Sequence, residues 1–320
     1  MSCLSVIVPC YNEESTVEVF YDSIIKLWNE EDRDDTENKI YGKYTLELVF
    51  IDDGSNDKTH EIIKQLSMKD SRVRYTSFSR NFGKEAAIFC GLKQASGDAA
   101  VIIDADLQHP LETIGEMILK WEEGYEIVEG VKSDRGAESK KHGLLANLFY
   151  KIISKLTGFD MKNSSDFKLI TRPVIDTLNG FTEKETFFRA MTFWTGYKST
   201  TVNYEVKDRV AGNSKWSTRS LISYAIKNII AFTYTPLYLI FFAGVIVMLL
   251  GFGLGIDAIV TFIKGEAVGG YPSLVLIITV ATGGIMLSLG IIGTYVAKIY
   301  QEVKNRPKYI VGDMSDNKNC

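Results

Sequence analysis

The chemistry most legible in the sequence belongs to Asp104-Ala-Asp106. Two carboxylates two positions apart share a face if an extended strand runs through them, and they repel unless a cation lies between. A hard divalent ion such as Mg²⁺ or Mn²⁺ takes one or two carboxylates and fills its other positions with water and phosphate oxygens. Such a site suits a substrate that sheds a diphosphate, whose developing charge the ion neutralises. The bland alternative is a solvated loop after a strand. Two more polar clusters weigh against it: Pro9, Tyr11, Asn12 and Glu13, then Asp52, Asp53, Gly54, Ser55 and Asp57, with Gln108 continuing the Asp104 segment. Each cluster alone says little, because Asp, Asn, Gly and Ser also build ordinary turns.

The elements around these clusters give them a common edge. Leu4–Val8, Leu46–Ile51, Val73–Phe78, Ala99–Ile103 and Glu126–Val131 are β-rich runs, and amphipathic helices separate them. One helix is expected to open at Ser15, with Glu18 completing a capping box, and another at Pro110. Strand and helix in alternation predict an α/β domain with a mostly parallel, doubly wound sheet. Such a sheet binds its ligand beyond the carboxyl ends of its strands, which is where all three clusters fall. The acidic, aperiodic stretch Glu30 to Thr45 is expected to be a surface insertion.

The 320 residues exceed the usual size of one domain. No charged residue occurs from Asn228 to Ile256 or from Ala267 to Ala297, and each run exceeds the ~20 residues that span a bilayer core. Residues 234–263 and 271–297 are therefore expected to be two transmembrane helices, after a catalytic domain over 1–210 and a juxtamembrane amphipathic region over 211–233, and before a tail over 298–320. A second basic amphipathic stretch lies at 136–157. Arg219 and Lys227 before the first span, and Lys298, Lys304, Arg306 and Lys308 after the second, place both ends in the cytoplasm of a multi-pass plasma-membrane protein. Residues 1–9 carry no signal-peptide pattern. Glycines in both spans suit the pairing of the two helices within one chain, or a homo-oligomer such as a tetramer.

Other classes lose support. A net charge of −4 leaves no nucleic-acid footprint. Three histidines and four unpaired-looking cysteines offer no zinc spacing, and the cysteines are expected to be free thiols. There is no GxxxxGK[ST] loop, and no GxGxxG between a strand and a helix.

In order along the chain stand VPCYNEE (8–14), IDDGSNDKT (51–59), FSRNFGKEAA (78–87), DADLQHPLE (104–112), SDFKLITRPV (165–174) and RVAGNSKW (209–216). With two C-terminal spans, this set resembles family 2 glycosyltransferases of the GT-A fold, in the polyprenyl-phosphate branch that includes dolichol-phosphate mannose synthase and the bacterial bactoprenol glucosyltransferases. The resemblance covers almost the whole chain. It implies that Pro9, Tyr11, Glu13 and Asp52 bind the nucleoside, with Asp52 on the base, and that Asp104, Asp106 and Gln108 hold the metal and diphosphate. It further implies that Asp166 lies near the transferred sugar and that Arg209 and Lys215 meet phosphate groups. By position, Arg135 and Lys141 are candidates for the acceptor phosphate. The implied reaction is inverting transfer from a nucleotide diphosphate sugar to polyprenyl phosphate in a bacterial membrane. UDP-glucose is the first choice of donor, with UDP-N-acetylhexosamine and GDP-mannose as alternatives. A processive polysaccharide synthase would normally carry QxxRW, which is absent, and a non-catalytic nucleotide-binding scaffold is the remaining alternative. A lipid phosphate is already anionic near neutral pH, so Asp166 is expected to orient the sugar or stabilise charge at its anomeric carbon rather than act as a strong base.

Overall fold

The computed structural model describes residues 2–29, 38–133, 164–183, 186–205 and 270–315, with part of 240–264. The chain divides into two units, Met1–Lys215 with Pro307–Cys320, and Trp216–Arg306.

Among the described residues, the first unit is built on an eight-stranded sheet. Its strands are β1 (Ser2–Cys10), β2 (Tyr44–Asp52), β3 (Val73–Phe78), β4 (Ala99–Ile102), β5 (Ile127–Lys132), β6 (Lys168–Thr171), β7 (Ser199–Tyr204) and β8 (Val311–Met314), in the order β7-β5-β6-β4-β1-β2-β3-β8. β1 pairs in parallel with both β2 and β4, β2 with β3, and β5 with β7, while β6 and β8 run antiparallel to their neighbours. All five expected strands are present, and β6, β7 and β8 are additional.

Side-chain alternation divides the apolar residues between two cores. Leu4, Val6, Val8, Leu48 and Phe50 face one layer with α1 (Val17–Asn29), α2 (Thr59–Lys69) and α4 (Thr113–Glu122). Ile7, Val49, Ile51, Ala100 and Ile102 face the other, with α3 (Lys84–Gln94), α5 (Arg172–Asn179) and α6 (Phe188–Trp194). The central strands are apolar on both faces for that reason. On α1 the stripe Val17, Phe20, Ile24 and Trp28 recurs at three- and four-residue steps and is buried.

Three local readings are corrected. α1 begins at Val17 rather than at a Ser15 capping box, with the Thr16 hydroxyl donating to the Glu13 carboxylate at 2.6 Å. The stretch expected to be a surface insertion contains a 3₁₀ helix, Asn38–Lys43, whose Ile40 and Tyr41 are buried in the first core. There the Tyr41 hydroxyl donates to Glu112 O at 3.2 Å and accepts from Gly115 N at 3.0 Å, a close approach that a side chain at 115 would block. Of the cysteines, Cys10 and Cys90 are buried free thiols, whereas Cys3 is in a disulfide.

In the second unit the expected span 271–297 falls within α7 (Tyr271–Lys304). Among the described residues one helix, Val280–Lys304, is long and apolar enough to cross a membrane, and Phe242–Gly251 is a shorter apolar helix. The rest of the expected span 234–263, and both basic amphipathic stretches, lie outside the described residues or only partly within them.

Candidate active site

Strand order reverses beside β1, because β2 and β3 extend to one side and β4 to the other. At such a switch point the loops diverge and leave a crevice. The loops after β1 and β2 are joined by hydrogen bonds. Asn12 N donates to Ser55 Oγ at 2.9 Å, Asn56 N to Asn12 Oδ1 at 2.9 Å, and Glu13 N to Thr59 Oγ1 at 2.8 Å. Asn12 adopts φ 55° to make both contacts, a conformation that asparagine tolerates better than most residues.

Two adjoining clefts open there. One is lined by Tyr11, Asp52, Gly54, Ser55, His60 and Ser77 among others, the second by Pro9, Tyr11, Glu13, Lys84, Asp104 and Asp106 among others. Asp52 is buried and accepts from Ser77 Oγ at 2.6 Å and Ser55 N at 3.0 Å. Its neighbour Asp53 accepts from Phe82 N at 2.7 Å and Gly83 N at 2.9 Å, which fixes the entry to α3 and so the position of Lys84. Burial raises the Glu13 carboxyl, with Asp106 and Asp104 adding to it against the Thr16 hydroxyl.

Asp104 and Asp106 do share a cleft, but not by strand alternation. β4 ends at Ile102, and 105–107 form a turn in which Leu107 has φ 58°. A leucine there is strained by about 1–2 kcal/mol, and the turn aims both carboxylates into the crevice. Gln108 is half-buried and its backbone N–H donates to Asp106 Oδ1 at 3.1 Å; its side chain lines neither cleft.

A third cavity, of about 240 Å³, adjoins Asp104 and is lined by Lys84, His109, Lys132, Asp166, Arg189 and Tyr204 among others. Lys84 Nζ lies 2.6 Å from Asp104 Oδ1 and 3.1 Å from Asp166 Oδ2. Arg189 donates from Nε to Asp166 Oδ1 at 2.7 Å and from Nη2 to Oδ2 at 2.9 Å, and from Nη1 to Ser164 O at 3.0 Å. Burial alone would raise both carboxyls, but their partners outweigh it. The Lys84 ammonium and a contact with His109 hold Asp104 well below the usual range, while Arg189 and Lys84 hold Asp166 at about 2. Next to them burial, reinforced by Asp166, pushes Glu85 up to about 7, although Phe188 N donates to it at 2.8 Å.

The structure thus gathers Pro9, Tyr11, Glu13, Asp52, Asp104, Asp106 and Asp166 along one sheet edge. Arg135, Lys141, Arg209 and Lys215 lie outside the described residues. Lys84, Arg189, His109 and Tyr204 carried no expectation. Lys84 had a signal, since it stands within FSRNFGKEAA; Arg189 and Tyr204 stand outside every motif singled out.

Residues 5–178 match the family model for glycosyl transferase family 2. The chain belongs to that family. The SfII prophage-derived bactoprenol glucosyl transferase of Shigella flexneri is 38% identical to this glycosyltransferase over 310 residues, covering 96% of this chain and 97% of that protein. A prophage bactoprenol glucosyl transferase homolog of Escherichia coli (strain K12) is 37% identical over 310 residues, covering 96% and 98%. The crystal structure of glucosyl-3-phosphoglycerate synthase from Mycobacterium tuberculosis, with Mn²⁺, UDP and phosphoglyceric acid, matches with TM-score 0.50 at 20% identity, over 72% of this chain and 76% of that one. At that identity the likeness shows the fold alone. The expected GT-A-like, mostly parallel α/β architecture of a family 2 glycosyltransferase is therefore the one present.

Proposed function

We propose that this glycosyltransferase moves a sugar, with UDP-glucose as first-choice donor, onto polyprenyl phosphate at the cytoplasmic face of a bacterial membrane, with inversion at the anomeric carbon. The observation that carries this reading is Asp166, clamped by Arg189 and Lys84 and held anionic at about 2. A carboxylate so stabilised is a weak base, and an acceptor hydroxyl would need a stronger one. A phosphate acceptor needs none, because it is already charged. Relatives covering nearly the whole chain that are named bactoprenol glucosyl transferases support the same acceptor.

On this reading Asp52 and Tyr11 receive the nucleoside, and Pro9 and Glu13 complete its wall. Asp166 faces the anomeric carbon, where it stabilises positive charge as the diphosphate departs, and the acceptor oxygen attacks from the opposite side. Arg209 and Lys215, with Arg135 and Lys141 at the acceptor phosphate, are the proposed cations of the lipid side. Asp104 and Asp106 offer the hard oxygen donors that fit Mg²⁺ or Mn²⁺. Among the described residues no group of three His, Cys, Asp or Glu could hold a metal ion; an ion on Asp104 and Asp106, with Gln108 beside them, would complete its shell with diphosphate oxygens and water. When bound, such an ion neutralises the leaving diphosphate. The α7 helix, with a second span over 234–263, would keep the site at the bilayer, because each exposed CH₂ of a polyprenyl tail costs about 0.8 kcal/mol in water.

Purified full-length protein, radiolabelled UDP-glucose, UDP-N-acetylhexosamine or GDP-mannose, and undecaprenyl phosphate test the reading. Label from UDP-glucose is expected in the lipid phase, lost with EDTA and restored by Mg²⁺ or Mn²⁺. Absence of lipid-linked label with all three donors overturns it.

A further inference from the structure

β8, which carried no expectation, backs one wall of the Asp52 cleft. It follows α7 by the short link 305–310 and adds to the free edge of β3, pairing Thr76 with Met314, Ser77 with Asp313 and Phe78 with Val311. Ser79 N donates to Ile310 O at 3.0 Å and Ser315 N to Tyr75 O at 3.0 Å. The Tyr309 ring stacks on Phe78 at 4.7 Å. Phe78 and Ser77 are also walls of the cleft that holds Asp52.

The Asp313 carboxylate points back along the same edge. It accepts from Lys64 Nζ at 2.8 Å and from the Tyr75 hydroxyl at 3.0 Å, and it lies 3.3 Å from His60 Nε2. The other ring nitrogen, His60 Nδ1, is buried, makes no hydrogen bond, and sits 3.8 Å from Asp52 Oδ2. Tyr75 packs edge-on against the same ring at 5.7 Å. Asp313, the His60 ring and Asp52 thus lie in line from the tail into the cleft, the imidazole standing between the two carboxylates at 3.3 and 3.8 Å.

Resting on the reading of that cleft as the nucleoside subsite, we infer that Asp313 and His60 are positioning residues for donor binding: the C-terminal strand holds the His60 ring beside Asp52, where the imidazole shapes the field around the carboxylate that meets the nucleobase. The tail is then a component of the nucleotide site, and both residues act on donor affinity rather than on the transfer step.

The test is UDP binding by titration calorimetry on the full-length protein in detergent, alongside donor KM and kcat. Asp313→Ala and His60→Phe are each expected to weaken UDP binding by about tenfold and to raise donor KM to match, with kcat within about twofold. The double variant should be no weaker than the singles, because both interrupt one line of groups, and Asp313→Glu should recover most of the affinity. Ser315→Ala removes only the hydroxyl that accepts from the Tyr75 backbone N–H at 3.0 Å, keeps the Asp313 and His60 side chains, and should leave UDP affinity intact. Unchanged UDP affinity in Asp313→Ala, or an equal loss in Ser315→Ala, overturns the inference. If Asp52→Ala also leaves UDP affinity unchanged, the nucleoside reading of the cleft falls as well. Because UDP binding needs no lipid acceptor, these outcomes are distinct from failure of the transfer assay.

Discussion

Arg189 grips Asp166 side-on, with Nε on Oδ1 at 2.7 Å and Nη2 on Oδ2 at 2.9 Å, while Lys84 reaches Oδ2 at 3.1 Å. A bidentate guanidinium fixes the plane of a carboxylate as well as its charge. Asp166 therefore meets the cavity as a directed negative charge, with little capacity to take up a proton.

For catalysis, Asp166→Asn should lower kcat by about 10²-fold, the scale of losing one preorganised electrostatic contact, with nucleotide affinity intact. The loss should be uniform from pH 6 to 9. Steady-state rates across that range check it, and a deficit that shrinks steeply toward high pH would restore a general-base role.

For acid stability, two neighbouring groups act with opposite sign. The Asp166 carboxyl falls from 3.8 to about 2 on folding, so its stabilisation is complete above about 4 and disappears as pH drops toward 2. Glu85 rises from 4.5 to about 7, so it favours the fold least once pH exceeds 7 and ceases to oppose it below about 4.5. Glu85→Gln should then raise the thermal midpoint at pH 8, by up to about 3 kcal/mol in free energy, and change little at pH 4. Equal effects at both pH values would contradict a half-buried Glu85 carboxyl raised to about 7.

A third expectation concerns the buried ion pair behind β1 and β2. Arg74 Nη1 donates to Glu47 Oε1 at 2.6 Å, and the same carboxylate accepts from Ser5 Oγ, Ser96 N and Ser96 Oγ at 2.5, 2.9 and 2.8 Å. Glu47 is fully buried. Arg74→Met strands that charge and should cost about 3–5 kcal/mol, read as a lower denaturation midpoint, whereas Arg74→Met with Glu47→Gln should recover part of it.

Gly54 supplies a fourth. Its φ is +66°, and a Cβ built there would meet the Arg80 backbone carbon at 2.4 Å. Backbone cannot rotate away as a side chain can. Gly54→Ala should cost more than the ~1–2 kcal/mol of left-handed strain alone, and should weaken nucleotide binding because Gly54 lines the Asp52 cleft. Calorimetric UDP titration and a melting curve measure both, and an alanine variant with the parent's values refutes the argument.

The amino-acid sequence by itself determined the parallel strands β1 to β5 and the acidic loops at their carboxyl ends. Those features depend on short-range rules: β-rich runs, two-residue alternation, and turn residues placed where strands stop. Asp52, Asp104 and Asp106 were legible for the same reason, whereas Asp166 was reached only through the family resemblance of SDFKLITRPV. Tertiary structure alone decided that Arg189, 23 residues beyond Asp166, closes on it, that Lys84 joins Asp104 to Asp166, and that Ile40 and Tyr41 enter the core from a stretch without periodicity. It also decided that Val311–Met314, beyond an apolar helix, completes the sheet at β3. A four-residue edge strand carries almost no pattern of its own, and a cation's partner is chosen by where the backbone brings it. Such pairings exist only after distant segments have packed.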